Sequence, residues 1–260
     1  MPMKVIYLIF IFLLPSVVVF GQQEEGNLGI FEENSVVYRS QRNGGAILYT
    51  NGWGGNFYWG KHIDGFKRRM LGIELTTVKN PKEVRQYNPY HQNAKSYVFG
   101  KINSVIALRP TYGIKVDKFD KLRENGVQVG YYFAVGPALT FLKPVYLEIG
   151  KFIDEENVNP FDYDYLSAER YDPSEHSLTN IYGRSSYLKG LLETDLMVGL
   201  HVKVGAHFEY SPEKDKIRAL EVGIAGDFFP APVPIMASDV NQSILFNIYL
   251  NFLFGKKYKE

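Results

Sequence analysis

His201, Lys203, His207 and Glu209 sit on one parity of a single stretch of sequence, and Glu221 and Asp227 repeat the arrangement a little further on. In an extended chain, side chains two residues apart share a face. Imidazole, ammonium and carboxylate groups would therefore line one surface, where they could relay protons or hold a metal between the two histidines. The metal fails on distance, because six residues along a strand span about 20 Å. Charge pairing remains. Glu74, Lys101 and Arg109, on other alternating stretches, join the set. We expect Lys101, Arg109 and Lys203 to meet Glu74, Glu209 and Glu221, with His201 and Asp227 in the same network. An ion withdrawn from water without a partner costs several kcal/mol. No residue is assigned to catalysis, to a metal or to a cofactor.

Two further groups carry chemistry. Asp172, Ser174, His176 and Ser177 cluster in the acidic, tyrosine-rich segment 154–186, and a hydrolase or acyltransferase would need such a hydroxyl and imidazole in contact. There is no Gly-x-Ser-x-Gly turn to raise a nucleophile, and the acidic residues lack the spacing of a calcium loop. A solvated loop is the expectation. The segment 79–96 mixes cations with aromatics, and Lys82, Arg85, Tyr87 and Tyr90 form a candidate docking site for a protein partner, the rings as anchors and the charges as steering groups.

The elements that position these groups are strands. Leu196, Val198, Leu200, Val202, Val204, Ala206 and Phe208 alternate with the histidine face, and Ile244, Phe246, Ile248, Leu250, Phe252 and Phe254 alternate with Asn247, Tyr249 and Asn251. The same period of two runs through 98–109, 127–136 and 219–228. Weaker runs at 35–41, 45–51, 56–63, 69–78 and 145–152 are separated by turn chemistry, notably Asn43-Gly44-Gly45 and Lys143-Pro144. The sum is about ten strands, or eight if the first two fail. A short helix around 117–124 would sit in a loop. With no cysteine, neither disulfides nor thiolate sites contribute. The 29 basic and 28 acidic residues give no global field toward nucleic acid.

Lys4 followed by the apolar run 5–20 and small residues up to Gly21 reads as a signal peptide. Its cleavage near Gly21 leaves a periplasmic segment, 22–34, ahead of a barrel over 35–260. The polar faces are rich in Gly, Ala, Ser, Asn, Tyr and His and poor in the dense Lys and Glu of a watered surface. This points the apolar faces outward and the polar faces into a lumen. The chain is all-β by this reading: an antiparallel up-and-down transmembrane β-barrel.

On the signal peptide, the alternating strands and the aromatic-rich last strand 244–254, the chain resembles the small outer-membrane β-barrel proteins of Gram-negative bacteria. The resemblance implies an outer-membrane location, contact with membrane lipid and lipopolysaccharide, and assembly by the barrel-assembly machinery. That machinery reads a terminal aromatic, here Phe254 or Tyr258. The resemblance fixes no activity. The expected function is a structural or accessory role, with the lumen plugged and the work done through protein or lipid contacts. The alternatives are a narrow solute channel or a barrel-embedded hydrolase acting on lipid or peptide. With both termini periplasmic and ten strands, 229–240 and 154–186 fall outside the cell, while 211–216, Lys143-Pro144 and 79–96 fall in the periplasm. The docking segment would then meet a periplasmic protein or a lipoprotein.

Overall fold

A computed structural model of the chain describes residues 38–91, 93–119, 126–152, 163–238 and 241–259. The expected signal peptide and the segment 22–34 lie outside them. In chain order the strands are β1 (Ser40–Tyr49), β2 (Gly52–His62), β3 (Lys67–Val78), β4 (Arg85–Gln86), β5 (Tyr97–Val98), β6 (Asn103–Phe119), β7 (Gln128–Pro144), β8 (Tyr146–Lys151), β9 (Tyr165–Arg170), β10 (Ile181–Arg184), β11 (Asp195–Glu209), β12 (Lys216–Phe228) and β13 (Ile244–Tyr258). Eight of them close into an antiparallel barrel in the order β1-β13-β12-β11-β7-β6-β3-β2, leaving a three-stranded sheet β10-β8-β9 and the pair β4-β5 outside it.

The register fixes the shape. From Ser40 the paired residues run through Lys61, Arg69, Ile114, Phe133, Val204, Ile224 and Ile248. The path re-enters β1's end at Thr50, whose backbone N–H donates to Ile248 O at 3.1 Å. One circuit therefore advances from residue 40 to residue 50, a stagger of ten. Eight strands with that stagger tilt by about 40° and enclose a space that side chains can just fill.

The strand number is eight rather than ten for two reasons. Asn43-Gly44-Gly45 is no turn but the middle of β1, so the parts of the runs at 35–41 and 45–51 that fall within Ser40–Tyr49 are one strand. A Cβ on Gly45 would stand 1.7 Å from Phe252 O, and one on Gly44 2.8 Å from Asn56 O. The glycines admit the neighbouring backbones. The run at 145–152 is β8, which pairs with β9 and β10 instead of entering the barrel. Lys143-Pro144 ends β7 and leads into β8, so it does not join two strands of the barrel. Asp117 to Phe119, expected to open a helix, end strand β6; the residues 120–124 lie outside the described set.

Alternation sorts the faces. On β13, Asn247, Tyr249, Asn251 and Leu253 are buried, while Ile244, Phe246, Ile248, Phe252 and Phe254 are exposed. β1 begins and β13 ends at one end of the barrel, the terminal end, together with the connections 63–66 and 210–215. The opposite end carries the described residues of the connections 79–102, 145–194 and 229–243. There Phe229, Val233, Ile235 and Met236 fold inward onto Val78, Val105, Ala107, Ala138 and Leu142, closing the mouth with hydrocarbon. Backbone bonds hold this lid, Ile102 N–H to Ile235 O at 3.0 Å and Ala237 N–H to Gly100 O at 2.7 Å.

Candidate functional site

Below the lid the lumen is filled by side chains from all eight strands, arranged in ionic layers. Nearest the mouth, Arg109 of β6 grips Asp227 of β12 with two hydrogen bonds, Nε at 2.9 Å and Nη2 at 2.6 Å, and donates a third to Thr76. His201 Nδ1 stands 2.7 Å from the same carboxylate. At mid-height Lys203 Nζ donates to Glu74 at 2.7 Å, and the hydroxyls of Tyr49 and Tyr58 donate to the same carboxylate at 2.7 and 2.5 Å. Tyr249 presents its ring 4.2 Å from the ammonium. Lys203 and Glu74 are wholly buried. The barrel satisfies them by surrounding the carboxylate with donors and the ammonium with acceptor oxygens and π faces, as groups so far from water require.

A third layer joins Lys115 to Glu221 at 2.8 Å and to His207 Nδ1 at 3.1 Å, with Asn251 donating to the same glutamate at 3.0 Å. The terminal end is filled by Arg68 bonded to Asp117 and to Gln41, and by Lys257 bonded to Glu209 at 2.6 Å. Five carboxylates thus face five cations through the lumen.

Of the residues expected in one network, Glu74, Arg109, His201, Lys203, Glu209, Glu221 and Asp227 all point into the lumen, but as separate layers. Lys203 meets Glu74, Arg109 meets Asp227 instead of a glutamate, and Glu209 takes Lys257. Lys101 does not belong. It lies at the mouth beyond β6, where its Nζ holds Glu83 at 2.6 Å. The expectation missed Arg68, Lys115, Asp117 and Lys257. Their signal was parity: Lys115 and Asp117 continue the alternation of Arg109 past Pro110, whose ring looks like a strand end. β6 carries the proline because its ladder to β7 has no pairs between Leu108–Leu139 and Tyr112–Val135. A proline costs nothing where no donor is needed.

The two histidines take different carboxylates, and among the described residues no group of three acidic or histidine side chains could hold a metal ion. The serine cluster is also not a nucleophile and base. Ser174 Oγ donates to Asp172 at 2.6 Å and Ser177 Oγ pairs with Thr179, while His176 accepts from the Asp172 N–H at 3.0 Å. The bonds from the Ser174 hydroxyl and N–H hold the Asp172 carboxyl below its usual range.

The docking candidates Lys82, Arg85, Tyr87 and Tyr90 sit at the mouth, on the same side as the acidic segment and not at the terminal end. Arg85 is in β4, paired with Val98, and Tyr87 and Tyr90 are exposed. Their segment packs on the three-stranded sheet: Asn88 Nδ2 donates to Ile181 O at 3.1 Å, and His91 lies against the rings of Tyr163 and Tyr182.

No family model matches the chain, and no curated protein matches it. Nine chains of solved structures are similar to it, three of which are the following. The N-terminal β-barrel domain of Pseudomonas aeruginosa OprF is 10% identical with a TM-score of 0.37, over 84% of this chain and 98% of that one. Neisserial surface protein A, NspA, is 10% identical with a TM-score of 0.35, over 86% and 97%. Ail, the attachment invasion locus protein of Yersinia pestis, is 8% identical with a TM-score of 0.40, over 85% and 99%.

Proposed function

We propose that the chain is an outer-membrane β-barrel, closed to solutes, that acts through contacts at its mouth without turnover. The observation that carries this reading is the outer surface. Phe57, Leu71, Ile73, Leu75, Phe133, Val198, Leu200, Ile224, Phe246 and Ile248 are all exposed on the barrel strands, forming a continuous apolar belt. Water-soluble monomers rarely expose contiguous apolar patches beyond a few hundred Å². From Ile244 to Phe254, a strand tilted by about 40° climbs roughly 25 Å, the height of the apolar band of such barrels. Below the belt the outward positions turn cationic at Arg42, Lys61, Arg69, Arg218 and Lys256, side chains whose stems lie on hydrocarbon while their heads reach water.

Closure rests on two independent fillings, the ionic layers and the apolar lid. A narrow channel has less support, since a solute would have to displace both. The same topology puts the platform of 79–102 and 145–194 at the end away from the termini, which becomes the cell exterior if the termini are periplasmic. On that orientation the docking segment is read as an exterior contact surface in place of a periplasmic one.

Fractionation and conductance test the proposal together. The protein is expected with the outer membranes, migrating differently before and after heating, and silent in planar bilayers. Recovery as a soluble periplasmic species would end the membrane reading, and steady open steps would end the closed one.

A further inference from the structure

A cavity of about 490 Å³ opens in the platform at the mouth, and its lining has an unusual charge. Lys79 follows β3, Arg85 belongs to β4, Lys101 precedes β6 and Arg184 ends β10, so four cations reach it from four places in the chain. Glu83 is the one acidic residue in the lining. It is committed: one carboxylate oxygen takes Lys101 at 2.6 Å and the other accepts the Asn80 N–H at 3.0 Å. Lys79, Arg85 and Arg184 have no carboxylate partner among the described residues. None of the many acids in the neighbouring segment 163–175 contributes to the lining.

Lys79, Arg85 and Arg184 are exposed, and it is their backbones that the fold holds in place. The Lys79 N–H donates to Asn51 O at 2.8 Å, tying the rim to the β1–β2 turn, and the Arg184 N–H donates to Lys95 O at 3.3 Å. Arg85 is fixed by its pairing with Val98. Buried Tyr97 and Leu147 form the floor. Like charges gathered by a fold repel one another unless an anion joins them. Two guanidinium groups present flat forks that match the paired oxygens of an oxyanion. The exposed ring of Trp53 offers an apolar face on the wall, and Tyr187, whose ring already carries the Lys143 ammonium 4.6 Å from one face, offers the other. Asn51, Asn80 and Ser96 supply amide and hydroxyl groups between the cations. The volume lies within the range of small-ligand sites and is too small for a folded partner.

We propose that this cavity binds a saccharide bearing sulfate or phosphate esters, with Arg85 and Arg184 on the ester oxygens, Lys79 adding charge, and Trp53 and Tyr187 against the sugar rings. The proposal deepens the reading of the mouth as the working end and rests on it only there. Lipid insertion and conductance are measured separately, so either can fail alone.

The test is calorimetric titration of the detergent-solubilised full chain with three probes: a sulfated disaccharide, a phosphorylated disaccharide and the same disaccharide without esters. The ester-bearing probes should bind at least tenfold more tightly than the plain one, and less tightly as salt rises. A lost charged hydrogen bond costs roughly tenfold in affinity, so Arg85→Gln with Arg184→Gln should weaken binding further than that. Arg69→Gln, at the other end of the barrel, should change nothing. If the double variant fails to fold, Lys79→Gln alone should still weaken binding by a factor of several. Preference for the sulfated probe points to a glycan outside the cell, and preference for the phosphorylated one to a phosphorylated sugar headgroup of the surrounding lipid. Equal binding of the plain disaccharide, or undiminished binding by the cavity variants, would overturn the proposal.

Discussion

The midsection and the mouth of this barrel solve the same problem with opposite chemistry. Both must fill a tube that eight strands leave open. In the midsection the filling is paired charge, carried on the strands themselves and locked by their register, as with Glu74 of β3 and Lys203 of β11. At the mouth it is hydrocarbon carried on a connection, Val233 and Ile235 pressed onto Val105 and Ala138. Charge pairs need partners at set heights, which strands provide. Apolar packing needs only volume and exclusion of water, which a folded-back loop provides.

The largest effect should come from splitting a midsection pair. Glu74→Ala leaves Lys203 and two tyrosine hydroxyls without their acceptor and should cost about 3–5 kcal/mol, read by denaturant unfolding in lipid vesicles. Glu74→Leu combined with Lys203→Met should recover most of that loss. If Glu74→Ala unfolds with an unchanged midpoint, the ionic midsection does not stabilise the barrel as argued.

The next effect lies on the opposite parity. Ile248→Arg, near the middle of the belt, should cost ~2–4 kcal/mol, whereas Phe254→Arg at the rim should cost about 0–1. Similar losses at both positions would remove lipid as the cause. A mouth substitution should be milder: Val233→Ala removes two methyl groups and leaves a small void, about 2 kcal/mol. The barrel should stay electrically silent, because the charged layers beneath are untouched. Current from this variant would show that the lid alone closes the tube.

The smallest effect is a pH dependence on the platform. Burial would raise the Glu169 carboxyl, but hydrogen bonds from Lys151, Ser167 and His176 outweigh it and hold the group below the usual glutamate range. A carboxyl depressed in the folded state stabilises it above the unfolded value and loses that contribution as pH falls through the folded one. The pair with Lys151, at 3.0 Å, is partly exposed, so the loss below pH 4 should stay under ~1 kcal/mol. Hydrogen exchange of β9 amides, compared with Glu169→Gln, would detect it. An identical pH response in the variant would assign the effect elsewhere.

The alternation of β7, β11, β12 and β13 is legible in the sequence because each strand turns an apolar face outward and a polar face into the lumen, a contrast that survives in residue types. Parity also placed seven lumen residues. What could not be read was anything decided by a neighbour. Gly44 and Gly45 look like a turn until the backbone of β13 is seen passing Gly45. The run at 145–152 alternates as a barrel strand does, because Leu147 and Ile149 bury one face in a different sheet. Counting it as a barrel strand reverses every earlier connection and moves segment 79–96 from the mouth to the terminal end. Partners within the lumen were equally hidden, since Arg109 finds Asp227 through a stagger that no single strand records.

The barrel closes where β1 meets β13, from Ser40 against Tyr258 to Tyr49 against Tyr249, so the first and last strands of the sheet are each other's neighbours. Such a seam has the longest sequence separation the sheet allows, and contacts of that kind slow folding. No partial chain can remove its open edges. Until β13 has emerged, β1 offers an unpaired row of donors and acceptors ready to join any other strand. The order of synthesis therefore imposes a waiting period, in which the chain must be kept unfolded and apart from its copies before the final strand can seal it.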